Sequence, residues 1–314
     1  MSVELPYEAY GHQVGGWHKG KQTSVLRGEN GLILKPLKLN ANPTYSQVMK
    51  GTNTSSQSSD KKLSLSDEDL IPVCQDELGF YERLQNSTSP DDLKLKTLLP
   101  KFHGVHQVIK DGEAVPHLVL EDLAHGFERP CVADIKIGRT FYYPGQKKYK
   151  EKQEKYATQS ESGFCVTGLR VYHVETGCLV TELRPDECKR LTTAQVFEGL
   201  ETFCQHDTIY GNDLRHALAA ELRHIHDWYL SQHSYKVRCG SILMVYDAKQ
   251  TLQSPSRDYV SASVTGGESS PKTLPKVKVK VIDLAHVLYS DGERDENSIF
   301  GIENLLKFLT ITDR

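Results

Sequence analysis

Asp134 and Lys136 stand two residues apart in a short apolar stretch, Pro130–Gly138, and are the strongest candidates for chemistry in the chain. Side chains alternate between the two faces of an extended strand, so this carboxylate and this ammonium share one face. The pattern predicts a strand that is buried on one side and presents the charged pair on the other. Such a pair is either a structural ion pair or part of a site that handles charged groups. The flanking proline and glycine, and the basic segment that follows, favour the site.

The basic segment concentrates positive charge in a protein of net charge −3. Residues 134–155 hold seven Lys or Arg side chains against three acids. Lys148, Lys152 and Lys155 are four and three residues apart, which places them on one face of a predicted helical segment at 145–160. A solvated amphipathic face is the alternative interpretation. Beside the charged pair, the pattern favours a wall that binds the phosphates of a small polyanion, and the overall charge argues against direct binding of nucleic acid.

Three further charged residues could complete a phosphoryl-transfer site, which needs cations to spread charge on the transferred group and a carboxylate to hold a metal ion. Lys35 ends a predicted hairpin, and Glu77 lies on the next predicted helix, where it could orient that lysine. Asp283 follows an apolar strand, where an acid is costly unless it is paired or binds a metal. A single lysine at a strand end is usually solvated, but the ordered set of charges favours a joint site.

Several periodic segments must position these residues. Asn30-Gly31 between apolar runs predicts a hairpin over 24–35, and Pro72 is predicted to open the helix that contains the glutamate. The other expected elements are strands at 102–108, 117–120, 164–173 and 276–282, helices at 193–206 and 213–232, and flexible polar insertions at 51–69 and 249–275.

The composition bounds the class of protein. Hydrophobic residues make up 38% of the 314 residues and charged residues 25%, as in ordinary globular proteins. No apolar run approaches the ~20 residues that cross a membrane, and Met1–Trp17 lacks the apolar core of a secretory signal. Seven cysteines without a C-x-x-C pair fit free thiols in a reducing compartment. We therefore expect an intracellular protein without membrane insertion.

The order of the elements predicts an α+β fold of two lobes. A small β-rich N-lobe over residues 1–120 would carry the lysine and the helical glutamate, and residues 121–125 would form a hinge. A larger α+β C-lobe over 126–314 would carry the charged pair and the aspartate near its end. This is a kinase-like plan with the active site in the cleft between the lobes.

Four motifs together resemble the inositol polyphosphate kinase family. They are Pro130–Gly138, which fits the pattern P-x-x-x-D-x-K-x-G, then Gly163–His173, Ser241–Leu243 and Ile282–His286. They follow the family's order, and the resemblance extends over roughly residues 10–310. It implies an enzyme that uses ATP with Mg²⁺. Asp-Leu-Ala replaces the Asp-Phe-Gly of protein kinases and no His-Arg-Asp loop occurs, which argues against a protein kinase.

The resemblance also implies roles for individual residues. The carbonyl of Glu121 and the amide of Leu123 would meet the adenine, and Asp134 would contact the ribose. Lys136 would lie where the substrate hydroxyl meets the γ-phosphate, and Asp283 would be the ligand of Mg²⁺. The other nucleotide-binding residues would be Lys35 and Glu77, and the substrate-binding residues would be Lys136, Lys148, Lys152, Lys155, Arg170 and His286.

Within the family, the multikinase branch resembles the chain most. The spacing from Gly138 to Gly163 lacks the long insertion of the trisphosphate 3-kinases, and the residues after the first motif differ from those of the hexakisphosphate kinases. Such an enzyme would phosphorylate inositol 1,4,5-trisphosphate and tetrakisphosphates at the 6- and 3-hydroxyls to give the pentakisphosphate. The alternatives are a hexakisphosphate kinase that makes pyrophosphates and a non-catalytic nuclear scaffold.

The resemblance further implies the partners and the location. Inositol polyphosphates and ATP would be substrates, and a phosphoinositide lipid is a further candidate substrate. We expect a monomer in nucleus and cytoplasm.

A glycine-rich stretch near the start matches a phosphate-binding Walker A loop only in part. Gly15 and Lys21 have the right spacing, but Gln22 stands where Ser or Thr would hold Mg²⁺. We interpret the glycines at 11, 15 and 16 instead as part of a loop over the nucleotide.

Overall fold

The computed structural model describes residues 7–15, 25–37, 74, 76–110, 112–141, 156, 158–253 and 274–311. The strands are β1 (Leu26–Arg27), β2 (Leu32–Pro36), β3 (Phe102–Lys110), β4 (Glu113–Glu121), β5 (Pro130–Ile137), β6 (Phe164–Tyr172), β7 (Leu179–Leu183), β8 (Tyr235–Val237), β9 (Ser241–Asp247), β10 (Val277–Ile282) and β11 (Val287–Tyr289). The helices are α1 (Glu77–Asn86), α2 (Pro90–Leu98), α3 (Gln159–Ser162), α4 (Pro185–Cys188), α5 (Thr193–Phe203), α6 (Gly211–Ser231), α7 (Ala248–Gln253) and α8 (Glu296–Thr310).

The first sheet has four antiparallel strands in the order β1-β2-β4-β3. The predicted hairpin is confirmed: β1 pairs with β2, and the turn between them places Asn30 at φ 52° and Gly31 at φ 77°. Asparagine and glycine tolerate this left-handed conformation better than other residues. The strands predicted at 102–108 and 117–120 are also present, and both extend further than predicted.

The second sheet has five antiparallel strands in the order β10-β9-β5-β6-β7, with β5 at its centre. Cys131, Ala133 and Ile135 on one face of β5 belong to the main hydrophobic core. The other face carries Asp134 and Lys136, as predicted, and Asp134 lines the cleft described below. This face is more covered than the alternation suggests, because a second hydrophobic cluster packs on it and leaves Val132 and Asp134 only 4% and 5% exposed.

The strand register brings the ends of three strands into one row. Lys136 on β5 lies opposite Ser241 on β9, and Ser241 lies opposite Ile282, the last residue of β10. The next residue, Asp283, therefore lies close to the charged pair of β5. On the other side of β5, Asp134 lies opposite Gly168, and the register then shifts at a bulge in β6.

Two long helices pack on the five-stranded sheet and add buried apolar residues to the core. The helix predicted at 213–232 is confirmed as α6, and its stripe of Leu214, Leu218, Leu222, Ile225 and Trp228 is buried. The helix predicted at 193–206 is confirmed as α5. The helix α8 packs on α6 and was not predicted from the sequence. No helix in the described part of the chain is long and apolar enough to cross a membrane.

The helices α1 and α2 connect the first sheet to the rest of the chain. The α1 helix begins at Glu77, with Asp76 as its N-cap. The residue predicted to open this helix, Pro72, lies outside the described residues. The Trp228 indole donates to the Asp91 carbonyl (3.0 Å), which ties α2 to α6.

The predicted insertion at 249–275 starts too early. Its first residues form the end of α7, which follows β9 directly. The rest of that stretch up to 273, and the whole of the insertion predicted at 51–69, lie outside the described residues.

Candidate active site

A cleft lies between the first sheet and the face of β5 that carries the charged pair. Its cavity volume is about 160 Å³, and it opens to solvent. Six of the residues predicted for nucleotide and metal binding line it: Lys35, Glu77, Glu121, Leu123, Asp134 and Asp283. The strand order thus gathers into one cavity residues that are widely separated in the sequence.

Lys35 forms the electrostatic centre of the cleft. Its Nζ lies 2.8 Å from Glu77 Oε2 and also makes an ion pair with Asp283. Burial would lower the pKa of the Lys35 ammonium, but the two carboxylates raise it above its ordinary value. The lysine is therefore positively charged at any physiological pH.

Asp283 leaves β10 in a left-handed backbone conformation, with φ 63°. This conformation is uncommon for residues other than glycine, and it turns the chain immediately after the strand. The next amide, Leu284 N, donates to Glu77 Oε1 (3.3 Å). The same glutamate thus holds both the lysine and the turn that carries the aspartate.

The carboxyl group of Asp134 lies in the buried part of the cleft. Burial raises its pKa, the nearby Asp283 adds to this, and Lys136 acts in the opposite direction. Its Oδ1 has no hydrogen-bond partner among the residues that the structure describes. A Cβ added at Gly15 would overlap this carboxylate, so only glycine fits there. An aspartate that is buried at this cost is better suited to a ligand than to stabilising the fold.

Lys136 is turned towards the chain between β8 and β9. Its Nζ donates to the Cys239 carbonyl (2.7 Å) and lies 5.5 Å from the centre of the Phe141 ring. Burial would lower its pKa, but Cys239, Asp283 and Asp134 together raise it. The group therefore keeps its positive charge at the end of the row that leads to Asp283.

The segment predicted as a hinge follows β4 and borders the cleft. Its Asp122 amide donates to the Gly31 carbonyl (2.8 Å), and the Asp122 side chain accepts from Ala124 N (2.9 Å) and from the Tyr10 hydroxyl. Leu123 is buried at the wall of the cleft. The backbone here is held in place before any ligand binds.

A short segment near the start of the chain, Tyr10–Gly15, crosses the cleft, and we call it the N-terminal strap. Arg170, on β6, donates to the Gly11 carbonyl (2.6 Å) and to Glu182 (2.5 Å). The hydrogen bond from Arg170 lowers the pKa of Glu182. The sequence predicted a glycine-containing loop here, but it did not predict that Arg170 would hold the loop through hydrogen bonds. The binding of a substrate by Arg170 stays a prediction.

The other predicted substrate residues are only partly placed. The His286 carbonyl accepts from Arg238 N (2.9 Å), so the backbone just before β11 is bonded to the turn before β9. Its role in substrate binding stays a prediction. Lys148, Lys152 and Lys155 lie outside the described residues, as does most of the helix predicted at 145–160.

A divalent cation would find only part of its ligands in the protein. The described residues contain no group of three or more His, Cys, Asp or Glu side chains arranged around a metal position. Asp283 opens into the cleft with 38% of its side chain exposed. One carboxylate suits Mg²⁺, which usually keeps several waters and binds substrate phosphates.

The chain is similar to several known proteins. The profile of a family described as inositol polyphosphate kinase matches residues 117–310. The inositol polyphosphate multikinase IPK2 of Oryza sativa subsp. indica is 33% identical over 254 residues, which cover 74% of this chain and 80% of that protein. The inositol polyphosphate multikinase beta of Arabidopsis thaliana is 28% identical over 257 residues, which cover 74% and 79%.

Solved structures share this fold, and one of them is bound to a nucleotide. It is the inositol phosphate multikinase Ipk2 from S. cerevisiae in complex with ADP and Mn²⁺, with a TM-score of 0.55 and 20% sequence identity. The match covers 76% of this chain and 96% of that one.

Proposed function

Because the chain belongs to the inositol polyphosphate kinase family, we propose that this kinase phosphorylates inositol 1,4,5-trisphosphate and tetrakisphosphates at the 6- and 3-hydroxyls to give the pentakisphosphate. The observation that carries the proposal is the convergence of Lys35, Glu77 and Asp283 beside Asp134 in one cleft. The multikinase names of the rice and Arabidopsis relatives support the choice of substrates.

The nucleotide would occupy the cleft with its adenine against the hinge. Leu123, Val132 and Val245 provide an apolar surface for the ring, and the backbone of Glu121 and Leu123 would supply the polar contacts. Asp134 would accept hydrogen bonds from the ribose hydroxyls. Such bonds would give its buried, partnerless oxygen the partners that it lacks in the described chain.

Lys35 and Lys136 would carry the charge of phosphoryl transfer. Lys35 would bind the α- and β-phosphates, and Lys136 would bind the γ-phosphoryl group as it passes to a substrate hydroxyl. The bond from the γ-phosphorus to the β-phosphate oxygen breaks while a bond to the hydroxyl oxygen forms, ADP leaves, and the hydroxyl proton is released to water. No strong base is required, because positioning and charge stabilisation supply most of the rate.

Asp283 would hold the divalent cation, which we propose to be Mg²⁺. When bound, the metal neutralises charge on the β- and γ-phosphates. Phosphate oxygens and water would complete its coordination. The chain's own contribution is to fix the carboxylate through Lys35 and through the left-handed turn after β10.

The remaining proposals rest on the sequence resemblance. Lys148, Lys152, Lys155, Arg170 and His286 would form the basic wall for the inositol phosphates. A lysine wall suits several arrangements of phosphates, because each lysine is a point charge on a flexible stem. We also propose a monomer in nucleus and cytoplasm, and a phosphoinositide lipid as a further substrate.

A product profile tests the function. The pure protein is incubated with Mg-ATP and, separately, with inositol 1,4,5-trisphosphate, the 1,3,4,5-tetrakisphosphate and the hexakisphosphate, and products are separated by anion exchange. Conversion of the first two to pentakisphosphate is expected. Pyrophosphates from the hexakisphosphate alone would replace the proposal with a hexakisphosphate kinase. A protein that binds ATP but yields no product would favour a scaffold or a lipid substrate.

A further inference from the structure

Cys239 has an unusual backbone conformation next to the charged pair. Its φ is 59°, a left-handed value that few residues other than glycine adopt. Its carbonyl accepts the hydrogen bond from Lys136 Nζ (2.7 Å), and its thiol donates to the Phe141 carbonyl (2.6 Å). Outliers of this kind persist only where the surroundings hold them, and they concentrate at functional sites.

The turn that contains Cys239 is held on both sides. Val237 N donates to Asp295 (2.7 Å), the N-cap of α8, and the Arg238 guanidinium pairs with the same carboxylate (3.2 Å). Arg238 and Asp295 are 3% and 1% exposed. The Gly240 carbonyl accepts from Ile137 N (3.1 Å), at the end of the strand that carries Lys136. The turn and the lysine thus belong to one rigid unit.

The same turn connects to the basic segment of the chain. Phe141 and Tyr156, which flank residues 142–155 in the sequence, pack edge to face with their ring centres 5.9 Å apart. The thiol of Cys239 holds the backbone of Phe141, and the ammonium of Lys136 lies over the Phe141 ring. Cys239 therefore contacts both Lys136 and Phe141, the residue that directly precedes the lysine-rich segment 142–155.

We infer that Cys239 is a positioning residue for Lys136, because its left-handed backbone directs a carbonyl at the lysine and its thiol fixes the same turn to Phe141. A neutral acceptor holds the ammonium in place without cancelling its charge, which a carboxylate would do. The charge stays available to the transferred phosphoryl group. This inference rests on the proposed function, in which Lys136 contacts that group.

Two substitutions that both remove the thiol test the role of the backbone conformation. Cys239→Gly keeps the carbonyl and the left-handed conformation, and kcat should stay within about threefold of the wild-type value. Cys239→Val also lacks the thiol but places a β-branched residue at this φ, so kcat should fall about 10- to 100-fold while KM for ATP changes little. Gly112→Val is the control, because Gly112 has φ 81° in an open turn and does not line the cleft. Equal kcat values for Cys239→Gly and Cys239→Val would overturn the inference.

A second readout needs no turnover. Reductive methylation of Lys136, followed by peptide mass spectrometry, reports how well the Cys239 carbonyl protects the amine. We expect several-fold more label on Lys136 in Cys239→Val than in the wild type or Cys239→Gly, with label on the exposed Lys94 unchanged. Unchanged labelling of Lys136 would refute the contact. A wild type that makes no product would instead refute the proposed function, and the labelling result would still stand.

Discussion

Lys35 and Asp283 are 248 residues apart in the sequence and meet in an ion pair across the cleft. The lysine belongs to the four-stranded sheet, and the aspartate follows the edge strand of the five-stranded sheet. Glu77 completes the group through a second contact with the lysine. This network joins the two sheets at the point where the phosphates of a nucleotide would lie.

Asp283→Asn should abolish most of the activity while the protein stays folded. The amide keeps the shape of the side chain but loses the charge that would bind a divalent cation. We expect kcat to fall at least about 100-fold, which corresponds to about 2.7 kcal/mol. Asp291→Asn, at an exposed position, is the matched control. Near-normal kcat for Asp283→Asn, measured with saturating ATP, would show that this carboxylate is not the metal ligand.

Lys35→Met should weaken ATP binding. It should also lower the stability of the fold, because Glu77 loses its ion-pair partner. Methionine leaves two carboxylates facing each other without the cation between them. In a double-mutant cycle with Glu77→Gln, the coupling measured by chemical unfolding should be about 0.5–3 kcal/mol. Additive effects of the two substitutions would mean that the ion pair contributes nothing to stability. Lys94→Met, an exposed lysine on α2, serves as the control.

Asp134→Asn should make the protein more stable and less active. The folded protein raises the pKa of Asp134, so this group contributes stability below its ordinary pKa and that contribution is lost as the pH rises through the raised value. An asparagine does not titrate. The melting temperature of Asp134→Asn should therefore exceed that of the wild type at pH 8 by at least about 2 °C, and the difference should shrink towards pH 4. A constant difference across this pH range would contradict the raised pKa.

Arg170→Gln should release the N-terminal strap. The substitution removes the donors to the Gly11 carbonyl and to Glu182. Hydrogen exchange of the strap amides should become faster by about tenfold or more without any substrate present. Arg190→Gln, on the exposed surface, should leave this exchange unchanged. Unaltered exchange in Arg170→Gln would leave substrate binding as the better role for this arginine.

The cleft residues could be predicted from the sequence because each has a local signal. Lys35 ends a hairpin marked by Asn-Gly, Asp134 and Lys136 alternate with apolar residues, and Asp283 follows an apolar strand. The structure brings Lys35, Asp134 and Asp283 together in the cleft, and Lys136 lies beside the two aspartates without lining the cleft. Their individual roles in binding and catalysis remain proposals.

Other features of the fold and the site could not be predicted from the types of residue in the sequence. The covered face of β5 could not be predicted, because alternation shows which side chains share a face but not what packs on it. The contact of Lys136 with Cys239 uses a backbone carbonyl, which every residue has. The start of α1 was missed because an aspartate cap and a proline are both good helix starts, and Asp76 is the one that caps the described helix.

The separation of Lys35 from Asp283 also has a consequence for synthesis on the ribosome. At 5–20 residues per second, about 12–50 s pass between the emergence of the lysine and that of the aspartate. Until the aspartate emerges, the nascent chain holds Lys35, and later also Glu77, without their third partner. Nucleotide therefore cannot stabilise the early translation products through this network, and the growing first sheet depends on its own packing or on chaperones until β10 has been made.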